Sequence, residues 1–306
     1  MVAYLFAGQG SQYIGMGKDL YETFPESRAV FNKADKVLNF PLSKLCFEGH
    51  QEELTQTQNC QPAILTVSIA AFEAFKLRVT RYELRVTDFV AGLSLGEYSA
   101  LVAAGAMALE DAVYLVRKRG EFMEEEAKAS PGAMASILGL DLATVKNICQ
   151  DTKTEIGNIN CPGQIVISGG RLEIERAEKL AQERGAKRVI LLEVNGAFHS
   201  SFMKKAALKL SKELDKIKIF TPQLPVVSNV TSNPVSDPAE IKDNLVKQVT
   251  GTVFWEDSMK FILSKGIMDF IEFGPGKVLK GLMRRINENA RVINIEKKED
   301  ILSFKP

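Results

Sequence analysis

One serine stands in a pentapeptide whose spacing is typical of acyl-transfer nucleophiles. Gly92-Leu-Ser-Leu-Gly96 follows the apolar run 88–91 and leads into the apolar segment 97–104, an order that predicts strand, tight turn and helix. In this context the glycines permit a sharp bend that exposes the serine hydroxyl at a helix N-terminus, where N–H groups favour a developing oxyanion. Ser94 is therefore a candidate nucleophile, and the alternative is an ordinary Gly/Ser turn.

A serine nucleophile needs a base, and histidine is the usual choice because its pKa lies near neutrality. The chain has two histidines. His50 lies in a polar, surface-like stretch, whereas His199 lies in the segment 195–201, after a predicted strand and before a helix. His199 is the better base, and a capping or structural role is the alternative. No carboxylate stands out as a third member, so a main-chain carbonyl is a possible partner for the imidazole.

Two further features carry possible chemistry. The loop Gly8–Gly15 follows the first strand, but Tyr13 stands where a dinucleotide-binding G-x-G-x-x-G needs glycine. A turn that aims an N–H group at an oxyanion is one interpretation of this loop, and a plain β-turn is the other. Arg117 and Arg119 lie on the helix after the nucleophile helix, where an arginine usually faces solvent.

Strands and helices alternate along the chain, with one insertion. The alternation up to residue 126 favours a mainly parallel sheet covered by helices. Residues 133–194 read β-α-β-β-α-β, the order of a ferredoxin-like unit, and the main sheet resumes afterwards. We therefore predict an α/β protein with a large subdomain at 1–126 and 198–306 and an inserted small subdomain at 127–197. Helices are expected at 16–38, 61–77, 96–104, 110–126, 142–151, 173–184, 203–214, 238–249, 256–264 and from 277. Strands are expected at 2–6, 88–91, 133–138, 155–160, 164–168, 188–194, 226–229 and 268–273.

Composition narrows the class of function. The 306 residues are 45% hydrophobic and 25% charged, with a formal net charge of +1, so neither nucleic acid nor an anionic membrane is an expected partner. The N-terminus reads as a buried strand rather than a secretory signal, and no apolar stretch is expected to span a bilayer. Four cysteines without C-x-x-C spacing argue against zinc and against a disulfide scaffold. We expect a cytoplasmic protein with no metal.

Taken together, a series of short motifs resembles the malonyl-CoA:acyl-carrier-protein transacylases. The match runs in order along nearly the whole chain, which makes it far more specific than any single motif. The motifs are Phe6–Gln12, Gln61–Ala63, Gly92–Glu97, Arg117–Gly120, Asn160–Gln164, Gly196–Ser200, Val227–Asn229 and Phe273–Gly276.

The resemblance implies an α/β-hydrolase-like domain that carries a ferredoxin-like insert, and it assigns catalytic roles. Ser94 would be the malonylated nucleophile and His199 the general base and acid. The main-chain carbonyl of Gln248 would orient His199. The backbone N–H groups of Gln9 and Leu95 would form the oxyanion hole, where one donor is typically worth about 3–4 kcal/mol.

The resemblance also implies how substrate is bound. Arg119 would pair with the free malonyl carboxylate, a role suited to a bidentate cation. Asn160 and Gln164 would line the cleft between the subdomains, with Gln61 nearby. Phe198 would leave little room for an α-methyl branch.

Several functional expectations follow from the same resemblance. The enzyme would move malonyl from malonyl-CoA to the phosphopantetheine thiol of an acyl carrier protein docked near the cleft, with no cofactor of its own. Ala7 stands where the family usually has proline, and the segment 196–200 is closer to acyltransferases of modular polyketide synthases. A trans-acting polyketide acyltransferase is therefore the leading expectation. The alternatives are a fatty-acid-synthesis transacylase, a proofreading acyl hydrolase that acts on carrier proteins, and a docking module with a relic site.

Overall fold

Eleven strands, fourteen α-helices and a 3₁₀ helix (Ser201–Met203) form in the residues that the computed structural model describes, which are 1–80, 87–194 and 196–305. The strands are β1 (Val2–Phe6), β2 (Phe89–Gly92), β3 (Ala133–Leu138), β4 (Glu155–Cys161), β5 (Gln164–Gly169), β6 (Arg188–Leu191), β7 (Val226–Val227), β8 (Pro234–Val235), β9 (Val253–Phe254), β10 (Asp269–Phe273) and β11 (Arg291–Ile295). The helices are α1 (Lys18–Thr23), α2 (Pro25–Leu38), α3 (Leu42–Glu48), α4 (Gln51–Thr55), α5 (Thr57–Thr80), α6 (Gly96–Ala103), α7 (Leu109–Ala129), α8 (Leu142–Thr152), α9 (Arg171–Glu183), α10 (Lys204–Leu214), α11 (Pro238–Thr250), α12 (Trp255–Ser264), α13 (Val278–Ile286) and α14 (Lys298–Ser303).

The larger sheet has the strand order β11-β10-β1-β2-β7-β8, and all its neighbours are parallel except β7 and β8. Along β1, Tyr4 and Phe6 pack into the core on one face, while Ala3 and Leu5 pack into a second core on the other. Burial on both faces is the pattern of a parallel sheet sandwiched between helices. The predicted α/β class is confirmed.

The smaller sheet has the order β6-β3-β5-β4-β9. Its first four strands are antiparallel neighbours, as in a ferredoxin-like unit, and α8 and α9 cover one face. Met134 and Val166 belong instead to the core of the large subdomain. The short strand β9, which comes from beyond residue 198, extends this sheet parallel to β4. The inserted unit is therefore joined to the rest of the chain by hydrogen bonds as well as by packing.

Some elements differ from the sequence expectations. The helix expected at 16–38 is two helices, because Pro25 begins α2 and cannot donate a backbone hydrogen bond into a preceding turn. The strand expected at 226–229 ends at Val227, and Asn229 lies in the following loop. The strand expected at 188–194 ends at Leu191. The edge strand β11 was not anticipated, since its exposed and buried residues alternate over only five positions. Asn195, the first residue of the segment that contains His199, lies outside the described residues.

The expectation that no apolar stretch could span a bilayer is wrong by length and composition. The segment Thr57–Arg78 of α5 has a mean hydropathy of 1.2 over its most apolar window, and it alone passes that test among the residues described. However, 83% of that window is buried inside the protein. Because α5 packs between α2 and α7, its apolar character is explained by a place in the core.

Candidate active site

Ser94 lies at the sharp turn between β2 and α6 and adopts a left-handed backbone conformation with φ of 52°. A side chain at Gly92 would collide with the backbone of Gly96, and one at Gly96 would collide with the carbonyl of Phe6. Both glycines are thus required for the close packing of turn, helix and strand. This is the strand–turn–helix geometry that presents a nucleophilic serine at the edge of a parallel sheet.

Ser94, His199 and Gln248 form a chain of hydrogen bonds. The Oγ of Ser94 lies 2.8 Å from Nε2 of His199, and Nδ1 of His199 lies 2.7 Å from the main-chain oxygen of Gln248. Because a carbonyl oxygen only accepts, Nδ1 must carry the ring proton, which leaves the Nε2 lone pair facing the serine hydroxyl. His50, in contrast, is exposed at the start of α4.

The His199 imidazole is held in its neutral form. Burial, with the nearby positive charge of Arg119, lowers the pKa of His199 from 6.5 to about 4, while its bond to the Gln248 carbonyl acts in the opposite direction. A neutral imidazole at physiological pH can accept the proton of Ser94. The arrangement is that of a general base.

We expect the His199 ring to stay neutral in solution well below pH 6.5. Replacing Arg119 by glutamine removes a cation that opposes protonation, so the His199 pKa should rise toward its ordinary value. NMR titration of histidine-labelled protein measures this directly, because the chain has two histidines and a His50→Gln variant assigns the other signal. A titration of His199 centred at 6.5 in the unmodified protein would contradict the assignment.

Arg119 is a buried cation directed at the same serine. Only 2% of its surface is exposed, and its guanidinium donates to Oε1 of Gln61 at 2.8 Å, Oε1 of Gln248 at 3.0 Å and Oγ of Ser94 at 3.1 Å. It also lies over the ring of Tyr98, 5.7 Å from the centroid. Within the described residues it forms no ion pair with a carboxylate, and its buried Nε–H has no acceptor. An anionic group on a substrate would supply a direct ion-pair partner.

Two N–H groups stand near the nucleophile without acceptors. The loop after β1 is held against the nucleophile turn, because a side chain at Gly8 would collide with the carbonyl of Leu93. The hydroxyl of Ser11 donates to the Gly8 carbonyl at 2.9 Å and closes this loop. Among the described residues, no acceptor bonds the backbone N–H of Gln9 or of Leu95. These are the two donors that the resemblance assigns to an oxyanion hole.

The predicted substrate-lining residues do not all lie together. Gln61 contacts Arg119, and Phe198, 5% exposed, borders with Gln9 a cavity of about 590 Å³ between the two subdomains. Asn160, on β4, has a buried Oδ1 atom without a partner in the described structure. Gln164 lies instead at the β4–β5 turn, where its Oε1 accepts a hydrogen bond from Arg285 of α13 at 2.6 Å. No contact of Gln164 with Ser94 or His199 is formed.

Two residues of the site were quoted in the sequence motifs without a role. The side-chain oxygen of Asn229 accepts a hydrogen bond from the N–H of Ser94 at 2.6 Å, and its amide donates to the carbonyl of Gly92 at 2.8 Å. Glu97, 2% exposed, accepts from Nε2 of Gln248 at 2.6 Å. Burial raises the pKa of Glu97 to about 7. The sequence signal for both residues is their place in the motifs: Glu97 lies in the motif that contains Ser94, and Asn229 lies in the motif that precedes α11.

Two further features of the structure concern metal ligands and cysteines. The described residues hold no group of three or more His, Cys, Asp or Glu side chains that could bind a metal ion. All four cysteines lie in the described ranges as buried free thiols: Cys46, Cys60, Cys149 and Cys161.

Known proteins share both the sequence and the fold. The chain matches the acyl transferase domain family over residues 3–296. It is 50% identical over 306 residues to the malonyl CoA-acyl carrier protein transacylase of Bacillus subtilis strain 168, covering 98% of this chain and 95% of the relative. The Staphylococcus aureus strain MRSA252 protein of the same name is 40% identical over 304 residues, with 98% and 96% covered.

Solved structures agree. An acyl-carrier-protein S-malonyltransferase from Bartonella henselae superposes with a TM-score of 0.94 at 41% identity, covering 99% of this chain and 97% of that one. A malonyl-transacylase solved in complex with a type II polyketide synthase acyl carrier protein gives 0.93 at 36% identity, with 99% and 98% covered.

A buried Ser–His pair on an α/β sheet, with two N–H donors nearby, is typical of acyl-transfer enzymes that use a serine nucleophile. The chain belongs to the malonyl-CoA:acyl-carrier-protein transacylase family of acyl transferase domains.

Proposed function

We propose that this enzyme transfers malonyl from malonyl-CoA to the phosphopantetheine thiol of an acyl carrier protein, through a malonyl ester on Ser94. The observation that carries the substrate assignment is Arg119, a buried guanidinium 3.1 Å from Ser94 Oγ with no carboxylate partner in the described structure. Malonyl is an acyl group that ends in a carboxylate. The names of the relatives support the same reaction.

In the acylation step, Nε2 of His199 takes the proton of the Ser94 hydroxyl as Oγ attacks the thioester carbon. The tetrahedral oxyanion is stabilised by the N–H groups of Gln9 and Leu95. The intermediate collapses, the carbon–sulfur bond breaks, and the coenzyme A sulfur leaves with the proton from His199. The Gln248 carbonyl stabilises the transient imidazolium through Nδ1–H.

The second step runs the same chemistry in reverse. His199 takes the proton of the phosphopantetheine thiol, and the sulfur attacks the malonyl ester carbon. Ser94 then leaves as the alcohol, with its proton returned by His199. No cofactor is needed for either step.

Substrate placement follows from the surrounding side chains. Arg119 and Gln61 receive the malonyl carboxylate, and Phe198 limits the space beside the α-carbon. The unpaired Asn160 Oδ1 is suited to accept an N–H of the pantetheine arm. We place the carrier protein at the cleft between the subdomains and the enzyme in the cytoplasm.

Two metabolic pathways use the proposed reaction, polyketide synthesis and fatty-acid synthesis. The segment 196–200 favours a polyketide synthase, and one solved relative is in complex with a type II polyketide synthase carrier protein. The curated relatives are named for malonyl transfer alone, and fatty-acid synthesis fits them at least as well. The reaction that we propose is common to both pathways.

Initial rates test the proposed reaction. With malonyl-CoA and holo carrier protein varied together, a covalent enzyme intermediate predicts parallel double-reciprocal lines and malonyl-carrier as product. An acyl hydrolase would release free malonate instead. Converging lines, or malonate as the main product, would contradict the proposal.

A further inference from the structure

Glu97 is a buried carboxyl group at the centre of the site. It lies in the first turn of α6, three residues after the nucleophile, and 2% of its surface is exposed. Its Oε2 atom accepts hydrogen bonds from Nε2 of Gln248 at 2.6 Å and from the backbone N–H of Asn229 at 3.3 Å.

Both partners of Glu97 hold reacting groups. The main-chain oxygen of Gln248 holds Nδ1 of His199, and its Oε1 accepts from Arg119. Asn229 holds the backbone N–H of Ser94 through its side-chain oxygen. Glu97 is therefore linked to each of these groups through one intervening residue. Gln248 links it to His199 and Arg119, and Asn229 links it to Ser94.

We propose that Glu97 is a positioning residue, whose carboxylate holds Gln248 and Asn229 so that His199 and Ser94 stay aligned for proton transfer. The proposal rests on the Ser94–His199 pair of the proposed function. It does not depend on which acyl group is carried.

Ionisation of Glu97 should strengthen this support, because a carboxylate is a better acceptor than a carboxylic acid. The charged and titratable groups that act on it are Arg119 from α7 and Tyr98 from α6, together with the polar Gln248 and Ser228. His199 is linked to it through Gln248. Burial raises the Glu97 pKa to about 7, although Gln248, Asn229, Ser228 and Arg119 act to lower it. The reactivity of Ser94 should therefore rise with pH around neutrality.

The test is the rate of Ser94 modification by phenylmethylsulfonyl fluoride, a neutral reagent that needs the Ser–His pair but no malonyl group. For Glu97→Gln we expect a loss of at least about tenfold, and loss of the rate increase around pH 7. Glu272→Gln is the matched control. Glu272 is also fully buried, its pKa is also raised to about 7, and it accepts from the backbone of α13, away from the site.

Glu272→Gln should keep the rate within about twofold. Equal losses in both variants, or a normal rate and pH dependence in Glu97→Gln, would overturn the proposal. If Glu97→Gln does not fold, Gln248→Met serves in its place, since it keeps the main-chain carbonyl but removes the amide that Glu97 holds. A normal rate in Gln248→Met would also overturn it. Failure of the unmodified enzyme to transfer malonyl, together with the expected rate loss in Glu97→Gln, would count against the proposed function alone.

Discussion

Replacing His199 by alanine is expected to lower the rate of Ser94 acylation by about 10³-fold or more, because the serine hydroxyl loses the base positioned beside it. The Oγ–Nε2 distance of 2.8 Å and the bond from Nδ1 to Gln248 place this ring for both steps. The residual rate would come from the oxyanion donors and from substrate binding. Rapid-quench measurement of the acyl-enzyme formed from malonyl-CoA gives the rate directly.

His50→Ala is the control for this experiment. His50 is exposed at the start of α4, so its replacement should change acylation by no more than about twofold. If His50 proved essential and His199 dispensable, the site would be misplaced.

Replacing Arg119 by alanine is expected to affect the turnover of malonyl-CoA and of acetyl-CoA differently. Malonyl-CoA is expected to lose about 2–4 kcal/mol in kcat/KM, the usual cost of unpairing a buried charge, whereas acetyl-CoA should be unaffected or improve. The reason is that the malonyl carboxylate gives up its hydration in the site, and the charge of the guanidinium compensates for that loss. Competition between the two thioesters, read by intact-protein mass spectrometry, measures the ratio.

Arg117→Ala is the matched control on the same helix. The Arg117 side chain bonds Glu121, the carbonyl of Gln58 and Asn59 rather than any residue of the site. Its loss should leave the malonyl-to-acetyl ratio nearly unchanged. Equal losses for both thioesters in Arg119→Ala would mean that Arg119 is structural or contacts coenzyme A, and would favour the hydrolase.

Local patterns predicted most of the architecture. The class of fold and the α/β order follow from alternating apolar runs, and the turn at Ser94 follows from two glycines whose missing side chains are needed there. The sequence contains the break at Pro25, but the apolar pattern of 16–38 continues across it and predicts one longer helix. The edge strand β11 was missed because two of its five residues are exposed and Asn294 interrupts its apolar residues, so it lacks the apolar run that identifies a central strand.

The polar network was harder to predict. Gln248 donates to the Ser94 carbonyl across 154 positions of the chain, and Asn229 bonds the Ser94 N–H across 135. Such contacts arise from tertiary packing and leave no local periodicity. The resemblance assigns Gln164 to the cleft, and the structure shows only that its side chain bonds Arg285 at the β4–β5 turn. Its part in substrate binding stays a prediction.

A pulse-chase measurement tests the central claim most directly. Enzyme is mixed with labelled malonyl-CoA, freed of small molecules and then given holo carrier protein. The account predicts one malonyl group per chain on Ser94, absent in Ser94→Ala, and its passage to the carrier thiol. Label on another residue, no stable adduct, or release of the label as free malonate would contradict it.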